Sequence, residues 1–212
     1  MSNVLSGGTY RHAKELVREW ASHGHRVVFV CLIRRLTRIV VYEKGKSSKE
    51  VFLYGDDDQQ QLAKIIQSYQ AAVLHVEHML DAPNALIHLH EMAHCSLAVT
   101  LHDYYTVCPF IKLVTEDDFY CEEKDCNACL RAREFFSPTF EKEIVDIEEW
   151  RSFWYSYLQQ AAIVMVPSLD MQQRMKRYFP GLPIRCVENP ELVSYRSSSL
   201  RVGLIGGLFV AK

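Results

Sequence analysis

Apolar and polar positions along this 212-residue chain switch repeatedly between two periods. Short apolar runs at Val27–Cys31, Ala72–Val76, Leu97–Leu101, Ala162–Val166 and Ile184–Val187 have the length and content of buried strands. Between them the spacing becomes helical. Tyr10 to Ser22 places Ala13, Leu16, Val17 and Trp20 on one face, and Gly24 supplies a left-handed stop after it. Asp56-Asp57-Asp58 is suited to begin a helix running through Tyr69, and Pro83 to begin one running to about Ala93. Pro138 to Gln160 reads as a long helical region, with Phe140, Ile144, Ile147, Trp150 and Trp154 spaced for burial. Pro167-Ser168 opens a further helix that ends near Pro180-Gly181. Ile39–Tyr42 and Val51–Tyr54 flank a polar Lys44–Ser48 stretch as a hairpin does.

Strands alternating with helices predict an α/β fold: a Rossmann-like, doubly wound and mostly parallel sheet. The first helix and strand form half of a βαβ unit. The strand preceding them belongs upstream of Gly7, where six residues stand, so the expectation is either a stub at Asn3–Leu5 or a lost natural start. Ser194–Ser199 has the character of a linker, and Arg201–Gly207 that of another strand and a glycine turn. The expected division is therefore 1–193 as one domain and 194–212 as the linker and first strand of a second.

Composition narrows the function classes. Hydrophobic residues make up 49% of the chain, enough for a sizeable core. The formal charge of -2 gives no footing for nucleic acid as a partner. No apolar run reaches the roughly 18–20 residues that cross a bilayer, and the N-terminus lacks an export signal. A reducing cytoplasm is the expected compartment, and the seven cysteines are then expected as thiols or metal ligands.

Four groups carry candidate chemistry. His102-Asp103 follows directly on the Leu97–Leu101 strand, where open α/β sheets present their functional groups; a histidine there can bond a sugar hydroxyl or exchange a proton near neutral pH. Cys108, Cys121, Cys126 and Cys129 provide four thiols with one C-x2-C pair, a set suited to a structural zinc ion; reduced thiols or a disulfide are the other readings. His90-Glu91-Met92-Ala93-His94 spells the H-E-x-x-H pattern of zinc hydrolases, although no third ligand follows at a typical spacing and solvated histidines account for it as well. Gly7-Gly8-Thr9 leads into the first helix and is placed to let a ligand approach its backbone. Cys31, Cys95 and Cys186 lie in or beside apolar runs, as small core residues do.

Taken in chain order, GGTYRHAKELVREWASHGHRV, VTLHDYYTVCPFIKL, CEEKDCNACL, VMVPSLDMQQRMKRYFP and CVENP resemble the N-terminal domain of GT-B glycosyltransferases of the family 4 type. The resemblance covers about Ser6 to Pro190. It implies an acceptor-side domain of a two-domain enzyme, with a UDP- or GDP-sugar as donor and a glycan or lipid-linked acceptor, in surface polysaccharide or glycolipid synthesis. It further implies transfer with retention of configuration, no metal needed for the chemistry, Gly7-Gly8 lining the cleft, and His102 against the donor sugar. The donor-binding E-x7-E pair of that family belongs to its second domain, so Glu141 and Glu149 do not inherit the role, and residues 1–212 alone are expected to be inactive. Arg11, Lys14 and Arg18 on the first helix are the candidates for peripheral membrane contact. The alternative functions are a zinc hydrolase using His90, Glu91 and His94, and a non-catalytic binding module.

Overall fold

A computed structural model of the chain describes residues 8–33, 36–44, 46–54, 58–80, 87–115, 119–137 and 139–188. The chain begins with helix α1 (Gly8–Ser22), which buries Ala13, Val17 and Ala21. Gly24, at φ +88°, turns the backbone into β1 (Val27–Ile33). β2 (Leu36–Glu43) and β3 (Lys46–Tyr54) follow as the expected hairpin, and the three pair antiparallel in the order β1-β2-β3. Helix α2 (Asp58–Ser68) covers this sheet, burying Leu62, Ala63 and Ile66 beside Val30, Ile39 and Leu53.

A second sheet is wholly parallel. It contains β4 (Val73–Val76), β5 (Ser96–Thr100), β8 (Ala161–Val166) and β9 (Ile184–Cys186), hydrogen-bonded in that order. Parallel neighbours need long crossovers, and helices supply them. A single turn, α3 (Leu89–Met92), precedes β5; α5 (Ile147–Leu158) precedes β8; α6 (Leu169–Tyr178) joins β8 to β9. The order and direction give the Rossmann-like α/β arrangement that the alternating pattern predicts. Its core runs from Val76 and Val99 in the sheet to Trp150 and Trp154 on α5, all essentially buried.

Residues 101–146 form a long excursion between β5 and α5. It holds α4 (Cys126–Ala132) and a two-residue ladder of β6 (Phe136–Ser137) with β7 (Lys142–Glu143). This corrects the expected helix from Pro138 to Gln160, which begins only at Ile147. Phe140 and Ile144 are spaced as helical core residues, yet Glu141 takes a left-handed φ of 55° and Ile144 N–H donates to the Phe135 carbonyl at 2.9 Å. The helix starts where Asp146 caps it, accepting from the Glu148 N–H at 3.0 Å. The expected strand stub at Asn3–Leu5, residues 83–86 of the expected Pro83 helix, and the linker and strand in 194–212 lie outside the described residues.

Candidate active site

Two apolar strands and one helix deliver the site, and each strand ends where its sequence turns polar. β4 runs into Glu77-His78 and β5 into Leu101-His102-Asp103, while α1 brings His12 across from the other side. Strands β4 and β5 are parallel and in register, Val76 beside Val99. Their side chains therefore meet in a ladder: three successive hydrogen bonds each join residues 25 apart. His75 Nε2 lies 2.7 Å from Thr100 Oγ1, His102 Nε2 lies 2.7 Å from Glu77 Oε2, and His78 Nε2 lies 2.6 Å from Asp103 Oδ2.

Glu77 is the hub. Only 4% of it is exposed, so its charge requires partners. His102 donates to one carboxylate oxygen, His75 stands 3.3 Å from the other, and His12 Nε2 is 3.7 Å from Oε2. The His12 and His102 rings meet edge to face with centroids 5.1 Å apart. Burial pushes the Glu77 carboxyl up, but the His102 hydrogen bond and the His75 and His102 charges outweigh it and hold the group below the usual 4.5. Burial lowers both His12 and His75 from 6.5, against the opposing pull of Glu77. The result is a carboxylate surrounded by imidazoles, two of them held towards the neutral form. Among the described residues, His12, Glu77 and His102 are the one set of three such groups whose ligand atoms all lie within 4.8 Å of one another, a spacing that a divalent ion can bridge.

Asp103 has a different task. It accepts from His78 and also from the Tyr105 N–H at 2.9 Å, while His78 Nδ1 accepts from the Leu80 N–H at 2.9 Å. Both carboxylate oxygens are thus occupied in holding the 101–105 turn, and Asp103 shapes the loop that carries His102. The His102 side chain is 9% exposed. Beside it lies a small recess of about 10 Å³, lined by Thr100, Asp103 and Thr106 among others, which is room for one water-sized group. His12, His75, Glu77 and His78 were not foreseen as site residues. The available signal was position: Glu77 ends its apolar strand as His102 ends the neighbouring one.

The pH dependence of stability follows from the lowered histidines. Below pH 6.5 the unfolded chain takes up protons that folded His12 and His75 resist, so stability is fully present above that pH and falls as acid is added. Glu77 adds a second loss below about pH 4.5, as its depressed carboxyl finally protonates. The melting temperature is expected to be flat above pH 7 and to fall from pH 6.5 downward, with a shallower slope in a His75→Gln variant. Equal slopes in the two proteins would assign the acid sensitivity elsewhere.

The other sequence candidates are placed as follows. Gly7 lies outside the described residues; Gly8 and Thr9 form the first turn of α1, with open space around Gly8. His90, Glu91 and His94 do not converge: α3 ends at Met92, His90 is buried against Tyr157, Glu91 is exposed, and His94 is exposed at a left-handed φ of 54°. All seven cysteines are free thiols. Cys108, Cys121, Cys126 and Cys129 come within electrostatic reach of one another, though not to the 4.8 Å spacing of the histidine cluster. Burial is the main cause that pushes Cys108 up to about 11. Around them the backbone is left-handed at Ile111, Leu113, Glu122, Glu123 and Asp125 without a single glycine, and for a β-branched residue such as Ile111 that is an outlier. Arg174 of α6 anchors the segment, pairing with Glu123 and donating to the Tyr120 hydroxyl at 2.6 Å. Arg11 pairs with Glu15 at 3.2 Å, and no helix among the described residues is long and apolar enough to cross a membrane.

No curated protein and no solved structure matches the chain. The family model described as Glycosyltransferase Family 4 does, over residues 6–190. That span takes in α1, both sheets, the histidine–glutamate ladder and the cysteine segment. The chain belongs to glycosyltransferase family 4, as a GT-B-type N-terminal domain of a transferase that acts on a sugar donor and an acceptor.

Proposed function

We propose that this domain forms the acceptor side of a retaining glycosyltransferase, which moves a hexose from a UDP- or GDP-sugar to a glycan or lipid-linked acceptor in surface polysaccharide synthesis. The observation that supports it best is the Glu77–His102 hydrogen bond at the strand ends. With Nε2–H donated to Glu77, His102 is held as the tautomer whose Nδ1 carries the lone pair. That nitrogen accepts a hydrogen bond from a sugar hydroxyl, and the Glu77 carboxylate stabilises any positive charge the ring gains. The transfer is proposed to need no metal for its chemistry. Gly7, Gly8 and Thr9 are proposed to line the cleft, and Arg11, Lys14 and Arg18 to give peripheral contact with the inner membrane face. The test offers labelled UDP- and GDP-sugars and saccharide or lipid-linked acceptors to the protein in the longest form its gene encodes. Release of nucleoside diphosphate with a product of retained configuration is expected; an inverted product, or no turnover of any donor, overturns the reading.

The four cysteines are proposed to hold a structural zinc ion. The donor set suits it: four thiols from three segments come within electrostatic reach of one another, and zinc accepts four thiolates in a closed site. Elemental analysis is expected to find one equivalent of zinc, lost in a Cys126→Ser, Cys129→Ser protein with a lower melting temperature. Zinc retained by that variant, or absent from the parent, rejects the assignment.

A further inference from the structure

Glu77 is buried more deeply than its hydrogen bonds account for. Oε2 accepts from His102 at 2.7 Å, while Oε1 has no hydrogen-bond partner. His75 Nε2 stands 3.3 Å from Oε1, but its closer neighbour is Thr100 Oγ1 at 2.7 Å. A carboxylate that is 4% exposed needs more compensation than one hydrogen bond.

His12 is the second anomaly. Helix α1 carries its ring edge to face against His102. Its Nε2 nevertheless stops 3.7 Å from Glu77 Oε2, beyond hydrogen-bond reach. Two imidazole nitrogens and one carboxylate oxygen, delivered by three separate elements, therefore converge on one spot. Zinc bonds of about 2.0–2.1 Å at tetrahedral angles set neighbouring ligand atoms roughly 3.3 Å apart. The separations of 2.7 and 3.7 Å from Oε2 lie on either side of that value. Movements of about half an ångström thus seat an ion among the three.

The donor types narrow the ion. Two histidines and a glutamate are the ligands of open zinc sites, which leave a fourth position to water. Magnesium and calcium take oxygen ligands, whereas imidazole suits zinc and its transition-metal neighbours. His75, beside the second carboxylate oxygen, is placed to orient Glu77 from outside the ligand set.

We propose that His12 Nε2, Glu77 Oε2 and His102 Nε2 bind one zinc-type divalent ion, and that this ion switches sugar transfer off. The ion takes the Nε2 lone pair of His102. The ring's single proton then resides on Nδ1, by exchange with water and without net gain or loss. Nδ1 becomes a donor and no longer accepts from a sugar hydroxyl. The inhibition rests on the role proposed above for His102; the ion site does not.

Long-range proton–nitrogen NMR spectra of the histidine rings test the site without reference to catalysis or to the cysteines. The 212-residue chain is treated with EDTA and then titrated with zinc sulfate or magnesium chloride. Zinc is expected to shift the His12 and His102 rings at one midpoint and to move the His102 proton from Nε2 to Nδ1. It should do so at concentrations that leave the exposed His94 unchanged. Magnesium should do nothing. His12→Ala is expected to weaken zinc binding at His102 by more than the roughly 10–100-fold that an outer partner costs. Should that variant unfold, the titration of the parent decides alone. The ion site is overturned if zinc leaves both rings unshifted, if magnesium shifts them equally, or if folded His12→Ala keeps the parent's midpoint. In the longest form the gene encodes, zinc bound by this measure is expected to abolish transfer, and EDTA to restore it. Zinc bound with transfer unchanged would strike the switch and the role given to His102, and leave the ion site standing.

Discussion

Replacing His102 by alanine is expected to lower kcat for sugar transfer by about 10²–10⁴-fold, the range lost with a positioned proton-transfer or polar group. The fold should survive, because His102 lies at a strand end and its main partner is Glu77 rather than the apolar core. Glu77→Gln separates positioning from direct contact. The amide keeps the shape of the carboxylate but removes the charge that His102 bonds. A charge-assisted hydrogen bond contributes about 1.5–3 kcal/mol, or roughly 10- to 150-fold in rate if it acts wholly in the transition state. That loss should fall on kcat more than on KM. Full activity in His102→Ala, or an unchanged kcat in Glu77→Gln, would remove the pair from the mechanism.

The strands of this fold were legible because apolar runs bounded by Gly, Pro and charged residues have few other readings. Leu97–Leu101 and Ala162–Val166 differ from β5 and β8 by one residue at each end or less. His102 was legible for the same reason, as the first polar residue past a buried strand. Glu77 was not, since one glutamate after Val76 looks like any solvated carboxylate. Only the parallel register of β4 and β5 sets it beside His102, and register is a tertiary fact. The same limit explains the Phe140–Trp154 stretch. Its apolar spacing is helical, but Phe140 reaches Trp150 and Phe153 from a turn, and packing overrides periodicity. The helix boundary is set instead by Asp146, whose side chain caps the Ile147–Leu158 helix. The split between the two sheets left no mark in the sequence, because an edge strand and a central strand can carry the same apolar residues.

Trp150 ties the core to the site, and its removal is expected to be among the costliest changes in the domain. The side chain is fully buried and packs at near-right angles on Tyr105 and Phe135, with centroids 5.1 and 5.8 Å away, and beside Phe140 and Trp154. Its indole Nε1–H donates to the Tyr105 carbonyl at 2.8 Å. Trp150→Ala is expected to cost about 3–5 kcal/mol, a large part of the 5–15 kcal/mol that holds an ordinary domain together, roughly speaking. Trp150→Phe keeps most of the ring contacts but leaves the Tyr105 carbonyl buried without its donor, a loss of about 1–3 kcal/mol. Urea unfolding followed by circular dichroism measures both. The phenylalanine variant carries the sharper test, because Tyr105 N–H in turn holds Asp103, the neighbour of His102. If the turn is braced from α5 in this way, Trp150→Phe lowers transfer activity at temperatures where the protein remains folded. A variant that loses stability while keeping full activity would show that the core and the site are independent.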